Sequence, residues 1–199
     1  MVYLDNKNKS FYPIDSKNVL NRLRSAFSKF SDVEIRDLRV SSYFIEVDLS
    51  IYSLSPPLGD ENQISTDLLP LFDSVSSVFY WDYLTEPKSF VKKETALDNA
   101  IFLFNIERFW KSHEVLEGIW KESSGVEKRV LNGLILIDAA FVHYQKNELG
   151  IFISILKRSL EKLQESKGMF YNVNLDEIKN SLLDIISNDR LGTFKIVVH

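Results

Sequence analysis

The first clear pattern along the chain is a run of apolar residues at helical spacing. From Val19 to Phe30 these residues recur every three or four positions, so they fall on one side of a helix. Asp15 and Ser16 come just before the run, and both are residue types that favour helix N-caps. The pattern predicts an amphipathic helix close to the N-terminus, with one of these two residues as its cap.

The period of the pattern then changes to two. Between residues 43 and 52 apolar and polar side chains alternate, which is typical of a half-buried strand. A β-rich run over residues 33–40 precedes this strand, so the two runs are expected to form a hairpin that turns near residue 41. A proline-containing loop follows, and after it we expect a short helix over residues 66–72 and a strand over residues 75–83.

The order of these elements predicts the fold of the N-terminal half. If residues 2–4, or residues 11–14, supply a first strand, the order becomes βαββαβ, which is that of the ferredoxin-like fold. A generic small α+β domain is the alternative interpretation. No glycine-rich phosphate loop, cysteine cluster or pair of histidines occurs before residue 90, so this half shows no catalytic signature.

A polar, proline-containing segment over residues 85–93 breaks both periodicities, and we place the domain boundary there. Beyond it the apolar spacing is almost wholly helical, and the predicted helices span residues 95–104, 107–121, 126–145, 149–166 and 174–187. We therefore predict an α+β protein with three parts. They are a ferredoxin-like α+β domain over residues 1–88, an all-α helical bundle of about five helices over residues 92–190, and an extended C-terminal tail over residues 191–199 that joins a sheet edge.

Cap signals support the limits of these helices. Thr95 is expected to cap the first of them, and Gly168 is expected to end the fourth. Asn174, with Glu177 three residues later, has the capping pattern that opens the fifth.

Composition indicates a folded chain in a reducing compartment. The 199 residues are 45% hydrophobic, far from the polar composition of disordered chains. There is no cysteine, which excludes disulfides, thiolate metal sites and cysteine nucleophiles together. Residues 1–10 lack the apolar core of a signal peptide, and no run approaches the ~20 apolar residues of a membrane span. We expect a cytoplasmic protein that does not enter a membrane.

The charge distribution argues against nucleic acid as a partner. The formal net charge is −4, and residues 1–90 hold 9 basic residues against 13 acidic ones. Binding to a phosphate backbone needs a basic face, and neither half of the chain has a net positive charge. The basic stripe over residues 17–29 is better explained as the solvated face of a helix.

The candidate chemistry lies on the predicted helix over residues 107–121. When this helix is projected at roughly 100° per residue, His113 and Glu117 fall within an arc of apolar side chains that includes Trp110 and Trp120. An unpaired carboxylate is costly in such surroundings. Glu117 is therefore expected to be buried and to be protonated, hydrogen-bonded, ion-paired or bound to a cation.

The following helix contains a second histidine. His143 shares a stripe with Asn132 and Leu136, so both histidine-bearing faces are expected to meet in the interior of the bundle. Asp138 projects away from that stripe and is interpreted as a solvated residue.

Several blocks of this region together resemble a known family. The blocks are Leu-Phe-Asn at residues 103–105, Phe-Trp-Lys-Ser-His-Glu-Val-Leu-Glu-Gly-Ile-Trp at residues 109–120, Gly-Leu-Ile at residues 133–135, and Ala139-Ala140 followed by His143. They are similar to domain-of-unknown-function family 309 over about residues 95–166. The resemblance implies a small all-helical domain, grouped under the description "predicted metal-dependent hydrolase". Asn132 and Leu136 depart from the family pattern, which usually has Gln at the first position and often has it at the second.

One function that this resemblance implies is metal-dependent hydrolysis with a divalent metal as cofactor. His113 and Glu117, one helical turn apart, would be two metal ligands, and His143 would be the third. Glu114 would act as the general base for a bound water. If the two helices form an antiparallel hairpin, His143 lies ~10 Å beyond the point that faces His113, so a shared ion needs a large offset between the helices.

The other interpretation of the cluster is structural. His113, Glu117 and Asn132 would form a buried hydrogen-bond network that fixes how two helices pack, with Trp110 and Trp120 as core aromatics. Because buried polar groups are usually satisfied inside the protein, we favour this interpretation for the cluster. The function stays unknown at this level. A binding or assembly role is compatible with it, with a homodimer, another protein partner or a small molecule held between the domains.

Overall fold

The computed structural model describes residues 1–52, 68–81, 92–188 and 191–199. The chain forms two compact units, one over Met1–Pro87 and Gln145–Asn147 and the other over Lys88–Tyr144 and Glu148–His199. We call them the N-terminal unit and the helical unit, and each has its own hydrophobic core. The boundary predicted over residues 85–93 lies for the most part outside the described residues.

The N-terminal unit is built on a four-stranded antiparallel sheet. Its strands are β1 (Val2–Asp5), β2 (Val33–Val40), β3 (Phe44–Ile51) and β4 (Val78–Trp81). Their order in the sheet is β2-β3-β1-β4. The predicted hairpin is confirmed, because β2 and β3 pair through a turn in which the Ser41 hydroxyl accepts hydrogen bonds from the N–H groups of Tyr43 and Phe44. The first strand comes from residues 2–5 and not from residues 11–14.

Two helices complete the described part of this unit, α1 (Ser16–Phe27) and α2 (Leu69–Phe72). Helix α1 has the predicted amphipathic pattern, and Leu23 and Phe27 on its apolar side are buried in one core with Leu4 and Ile45 of the sheet. Alternate residues of each strand join this core because side chains along a strand point to opposite faces.

The expected side-chain cap of α1 is absent from the described contacts. Asp15 occupies the N-cap position but makes no capping hydrogen bond with its side chain. Its carboxylate instead accepts a hydrogen bond from the N–H of Tyr12 at 2.8 Å. The reason is that residues 13–15 form a 3-10 turn ahead of the helix, and the Asp15 carboxylate caps the start of this turn at Tyr12.

The described part of the helical unit contains five helices, which agrees with the predicted number. They are α3 (Lys93–Asn105), α4 (Phe109–Lys121), α5 (Gly125–Gln145), α6 (Leu149–Leu163) and α7 (Leu175–Asn188). A short hairpin of β5 (Met169–Phe170) and β6 (Val173–Asn174) connects α6 to α7. None of the helices within the described ranges is long and apolar enough to span a bilayer.

A left-handed backbone position separates two of these helices. Glu107 has a φ of 64°, which interrupts the helical path between α3 and α4, so α4 begins at Phe109 and not at the predicted residue 107. The prediction that Gly168 ends the fourth helix is wrong, because α6 ends at Leu163 and Gly168, with a φ of 68°, lies just before β5. The prediction that Thr95 caps the first helix is wrong, because α3 already begins at Lys93.

The N-terminus of α7 has the predicted capping pattern. The Asn174 side-chain oxygen accepts hydrogen bonds from the N–H groups of Asp176, at 3.0 Å, and of Glu177, at 3.4 Å. The Glu177 carboxylate in turn accepts a hydrogen bond from the Asn174 side-chain amide. These contacts satisfy N–H groups that have no partner inside the helix.

Phenylalanine side chains dominate the centre of the helical unit. Phe109 of α4 and Phe141 of α5 stack with their ring centroids 4.9 Å apart, and Phe104 of α3 packs edge-on against both. Phe194, from the C-terminal tail, lies 5.3 Å from the Phe104 ring and 5.8 Å from the Phe141 ring. The tail is therefore part of the core of this unit.

Backbone contacts hold the same tail in an extended conformation. The Asn105 side chain donates to the carbonyl of Ile196 and accepts from its N–H, both at 2.8 Å. Val198 forms an antiparallel bridge with Val173, and the N–H of His199 donates to the carbonyl of Asn172. The predicted sheet pairing is thus limited to one bridge, and a side-chain amide takes the place of a neighbouring strand at Ile196.

Candidate functional site

The candidate cluster is centred on His113 in the middle of α4. Its ring lies parallel to the Trp110 ring, with centroids 5.5 Å apart and an interplanar angle of 7°. Nδ1 is 3.3 Å from the carbonyl oxygen of Ile135 on α5, and Nε2 is 3.5 Å from Oε1 of Glu117. The His113 side chain is only 17% exposed, and its described neighbours are Trp110, Ile135 and Glu117.

The Ile135 contact restricts the protonation of the His113 ring. A carbonyl oxygen can only accept, so the hydrogen bond requires a proton on Nδ1. In the neutral ring Nε2 would then present a lone pair to the Glu117 carboxylate.

Glu117 is not buried, which corrects the expectation from the helical projection. Its side chain is 47% exposed and interacts with His113 on its own helix. The buried face of α4 is formed by Phe109, Ser112, Leu116 and Ile119. Glu117 lies at the edge of that face, so its charge faces solvent and avoids most of the cost of burial.

Asn132 does not join the cluster. Within the described ranges no hydrogen bond connects it to His113 or to Glu117, and the contact of His113 with α5 is made by the backbone of Ile135 instead. Asn132 is half-buried. The predicted His113–Glu117–Asn132 network is therefore replaced by a contact between a side chain and the backbone.

The candidate general base, Glu114, points to a different neighbour. Its carboxylate forms an ion pair with the Lys111 ammonium at 2.9 Å, three residues earlier on the same helix. Both side chains are about one-third exposed. The structure thus places Glu114 in a helix-surface pair and gives it no contact with His113.

The second histidine has its own partner. His143 Nδ1 lies 2.5 Å from a carboxylate oxygen of Glu148, just beyond the end of α5, and the N–H of Glu148 donates to the carbonyl of His143. Among residues 1–52, 68–81, 92–188 and 191–199, no three His, Asp or Glu side chains are grouped so that they could hold one metal ion.

The two tryptophans differ in their surroundings. Both are half-buried and pack against the core of the helical unit. Trp110 supports the His113 ring, whereas the Lys128 ammonium of α5 lies 4.3 Å from the centre of the Trp120 ring. This is a cation–π contact, so Trp120 holds α5 on α4 at a second point.

The prediction that Asp138 is a solvated residue is wrong, because its carboxyl group is buried inside the helical unit. It is 1% exposed, and neither carboxylate oxygen has a hydrogen-bond partner among the described residues. Burial raises the pKa of the Asp138 carboxyl well above its usual range, and the nearby Ser112 hydroxyl lowers it to a smaller extent. The sequence does contain one indication that Asp138 is buried, because it lies in the apolar run from Leu134 to Phe141.

A second polar group links the ends of several elements. The Lys93 ammonium donates to the Glu122 carbonyl, the Ser123 hydroxyl and, at 2.8 Å, the Glu127 carboxylate. The Tyr171 hydroxyl donates to the other oxygen of Glu127 at 2.6 Å. This group connects α3, α5 and the β5–β6 hairpin.

Comparison with known proteins gives a family match within the helical unit. No curated protein matches the chain. The family comparison does give a match, and it covers the whole of α4 and α5 together with parts of the flanking helices. Residues 97–154 match the family model described as Domain of unknown function (DUF309), which confirms the resemblance of the His-Glu segment to that family.

Proposed function

We propose that the His113 cluster is structural and that the protein acts by binding or assembly rather than by catalysis. The observation that supports this is that both ring nitrogens of His113 have partners, Ile135 on α5 and Glu117 on α4. With Trp110 under the ring, the side chain is held on three sides. Such a side chain fixes the position of α4 on α5.

The position of the candidate base supports the same proposal. A general base must lie within hydrogen-bond reach of the water or substrate proton that it removes. Glu114 is instead paired with Lys111 on the helix surface. The matched family is described as one of unknown function, which is compatible with a non-catalytic role.

Metal-dependent hydrolysis is the second candidate, and one detail favours it. Histidine ligands commonly donate their second ring N–H to a backbone carbonyl, as His113 does to Ile135. Nε2 would then be free to bind a divalent metal together with Glu117. His143, as the third ligand, would have to leave Glu148, and Glu114, as the base, would have to leave Lys111.

Metal analysis of the untagged protein separates the two candidates. The protein is supplemented with zinc, manganese and iron, dialysed, and analysed for bound metal, and its melting temperature is measured with and without a chelator. Under the structural proposal no metal is retained in stoichiometric amount and chelators leave the melting temperature unchanged. A stoichiometric metal that is lost in Glu117→Gln, with a lower melting temperature after chelation, would establish the hydrolase candidate instead.

Substitutions in α4 provide an independent test. His113→Ala is expected to lower the free energy of unfolding by ~1–3 kcal/mol, because both the hydrogen bond to the Ile135 carbonyl and the stacking on Trp110 are lost. Glu117→Ala and the control Glu114→Ala should each change it by less than about 1 kcal/mol, because both carboxylates are in partly exposed pairs. Equal effects of all three substitutions would contradict a structural role for His113.

For the N-terminal unit we propose the ferredoxin-like fold and a domain over residues 1–88. The proposal is supported by the antiparallel order β2-β3-β1-β4 and by the sequence of elements, in which α1 follows β1 and α2 precedes β4. The described residues of this unit show no metal-binding group. A solution structure of the unit in which the two helices lie on opposite faces of the sheet would contradict this assignment.

We also propose that the protein works in the cytoplasm and binds another protein or a second copy of itself. The absence of cysteine from the sequence supports a reducing compartment. A net charge of −4 disfavours nucleic acid as the partner. Light scattering of the purified chain tests self-association, and a monomer at all concentrations would leave a different protein as the partner.

A further inference from the structure

Asp138 lies inside the helical unit without the partners that buried carboxylates need. It is 1% exposed, and no hydrogen bond from the described residues reaches either of its oxygens. Neighbouring positions on α5, such as Leu134 and Phe141, are core residues. An ionised carboxylate in such a place is strongly disfavoured, so the packed state accommodates the neutral, protonated acid.

Ser112, the one polar side chain that affects the pKa of Asp138, already has a partner. The Ser112 hydroxyl donates to the carbonyl of Ala100 on α3 at 2.9 Å. Its single proton is therefore not available to an Asp138 carboxylate, although its oxygen can still accept. Ser112 therefore stabilises the Asp138 anion only to a small extent, which agrees with its minor effect on the carboxyl pKa beside that of burial.

Among the residues that the structure describes, no cation compensates the Asp138 carboxylate. The causes that shift its pKa are burial first and Ser112 second, and no charged side chain is among them. The titratable groups on the surrounding helices have other partners. Asp98 of α3 contacts Asn172. On α4, Lys111 pairs with Glu114, and His113 contacts Ile135 and Glu117. On α5, burial and then the charge of Glu107 raise the pKa of Tyr144.

We propose that Asp138 makes the tight packing of α5 against α3 and α4 depend on one bound proton. With the neutral carboxyl inside, the three helices pack closely. When that proton is lost, the anion requires water, and the unit opens locally around Asp138 to supply it. The helical unit thereby has a built-in, pH-sensitive conformational change.

The direction of the pH dependence follows from linkage. The pKa of Asp138 is higher in the packed state than in the open state, where water restores the ordinary value near 3.8. Packing is therefore most stable below the ordinary value and weakens as the pH rises towards the packed-state value. Between the two values the open population should grow about tenfold per pH unit, because one proton is released on opening.

Amide hydrogen exchange of the full chain tests the proposal. Exchange rates of α4 and α5 amides, corrected for the intrinsic effect of pH, are compared between wild type, Asp138→Asn and the control Asp98→Asn. We expect protection to fall about tenfold per pH unit in wild type and in Asp98→Asn. In Asp138→Asn the side chain is always neutral, so this tenfold fall in protection per pH unit should be absent. An equal slope in wild type and Asp138→Asn would overturn the proposal.

A second measurement applies if Asp138→Asn does not fold. Infrared spectra of wild-type protein with isotopically labelled aspartate distinguish a protonated carboxyl from a carboxylate. We expect one aspartate to retain the protonated band above pH 3.8, its ordinary pKa, for as long as the unit stays packed, and to lose it only at the upper end of the pH range over which α5 loses protection. If every aspartate is ionised while α5 remains fully protected, the proposal is wrong.

Discussion

Leu163 of α6 packs so closely on Gly133 of α5 that a β-carbon at residue 133 would lie 2.6 Å from its Cδ2 atom. The contact is reinforced by the Ser159 hydroxyl, which donates to the Gly133 carbonyl at 2.8 Å. Glycine at this position lets the two helices approach, and it belongs to the Gly-Leu-Ile block of the matched segment.

Gly133→Ala is therefore expected to destabilise the helical unit, by about 1–3 kcal/mol, because Leu163 must leave its position in the core. Denaturant unfolding measures this change. Gly118→Ala on α4 is the matched control. A β-carbon there meets no atom within 4 Å, so the substitution should stabilise the helix by roughly 0.5–1 kcal/mol. A stabilising Gly133→Ala would show that α5 and α6 are less tightly packed than described.

Tyr171→Phe should weaken the connection between α5 and the β5–β6 hairpin. The substitution removes the hydrogen bond to Glu127 and is expected to lower the free energy of unfolding by ~0.5–1.5 kcal/mol near neutral pH. Tyr43→Phe is the control, because this tyrosine is exposed in the N-terminal unit. Equal stability of the two variants would contradict the structural role of Tyr171.

The same hydrogen bond predicts a pH dependence. The bond to Glu127 raises the pKa of Tyr171 from 10.0 to about 12. The Tyr171 contribution to stability is therefore complete below pH 10 and is lost as the pH rises towards 12. The hydrogen bonds from Lys93 and then Tyr171 lower the pKa of Glu127, so its contribution is lost only when the pH falls below the ordinary value of 4.5. Tyrosinate absorbance and thermal unfolding, each measured against pH, check both directions.

Asn105→Ala should release the C-terminal tail from the helical unit. The Asn105 side chain makes two hydrogen bonds to the backbone of Ile196, and both are lost. Amide exchange at residues 194–198 is expected to accelerate strongly, while the centre of α5 stays protected. Amide exchange at residues 194–198 of the wild type that is as fast as in a free peptide would contradict the packing of the tail.

Phe194→Ala should lower the free energy of unfolding by about 2–3 kcal/mol. This is less than the usual value for a fully buried phenylalanine, because the ring is only half-buried.

Limited proteolysis is expected to cut between Thr85 and Lys93 and to leave a helical C-terminal fragment. The sequence of this segment is polar and contains Pro87, and each unit has its own core. Gel electrophoresis and mass spectrometry of the fragments locate the cuts. Cleavage confined to residues 56–64, with this segment resistant, would instead indicate that the two parts share a core.

The contrast between α4 and α5 explains which site residues could be predicted from sequence. Helix α4 has one buried side and one exposed side, so the projection found the side that buries Phe109, Leu116 and Ile119 and was wrong at its edge, where Glu117 lies. Helix α5 is buried around most of its circumference. A helix of this kind has no polar side from which the orientation of Asp138 could be read.

The hairpin and the five helices could be predicted because their apolar periods of two and of about 3.6 extend over many residues. Contacts made by backbone atoms leave no such pattern in the sequence. The acceptor of His113 is the carbonyl of Ile135, and a carbonyl is present at every position. The start of α4 was misplaced for a similar reason, since the left-handed conformation of Glu107 is set by its surroundings and not by its residue type.

The packing of Phe194 on Phe104 and Phe141 also has a consequence for folding during synthesis. The four strands of the N-terminal sheet have all been translated once the ribosome passes Trp81. The aromatic centre of the helical unit, in contrast, stays open until the tail emerges some 50 residues after Phe141. Nascent chains that expose apolar surface are prone to misassociation. The helical unit should therefore depend on ribosome-associated chaperones for longer than the sheet that precedes it.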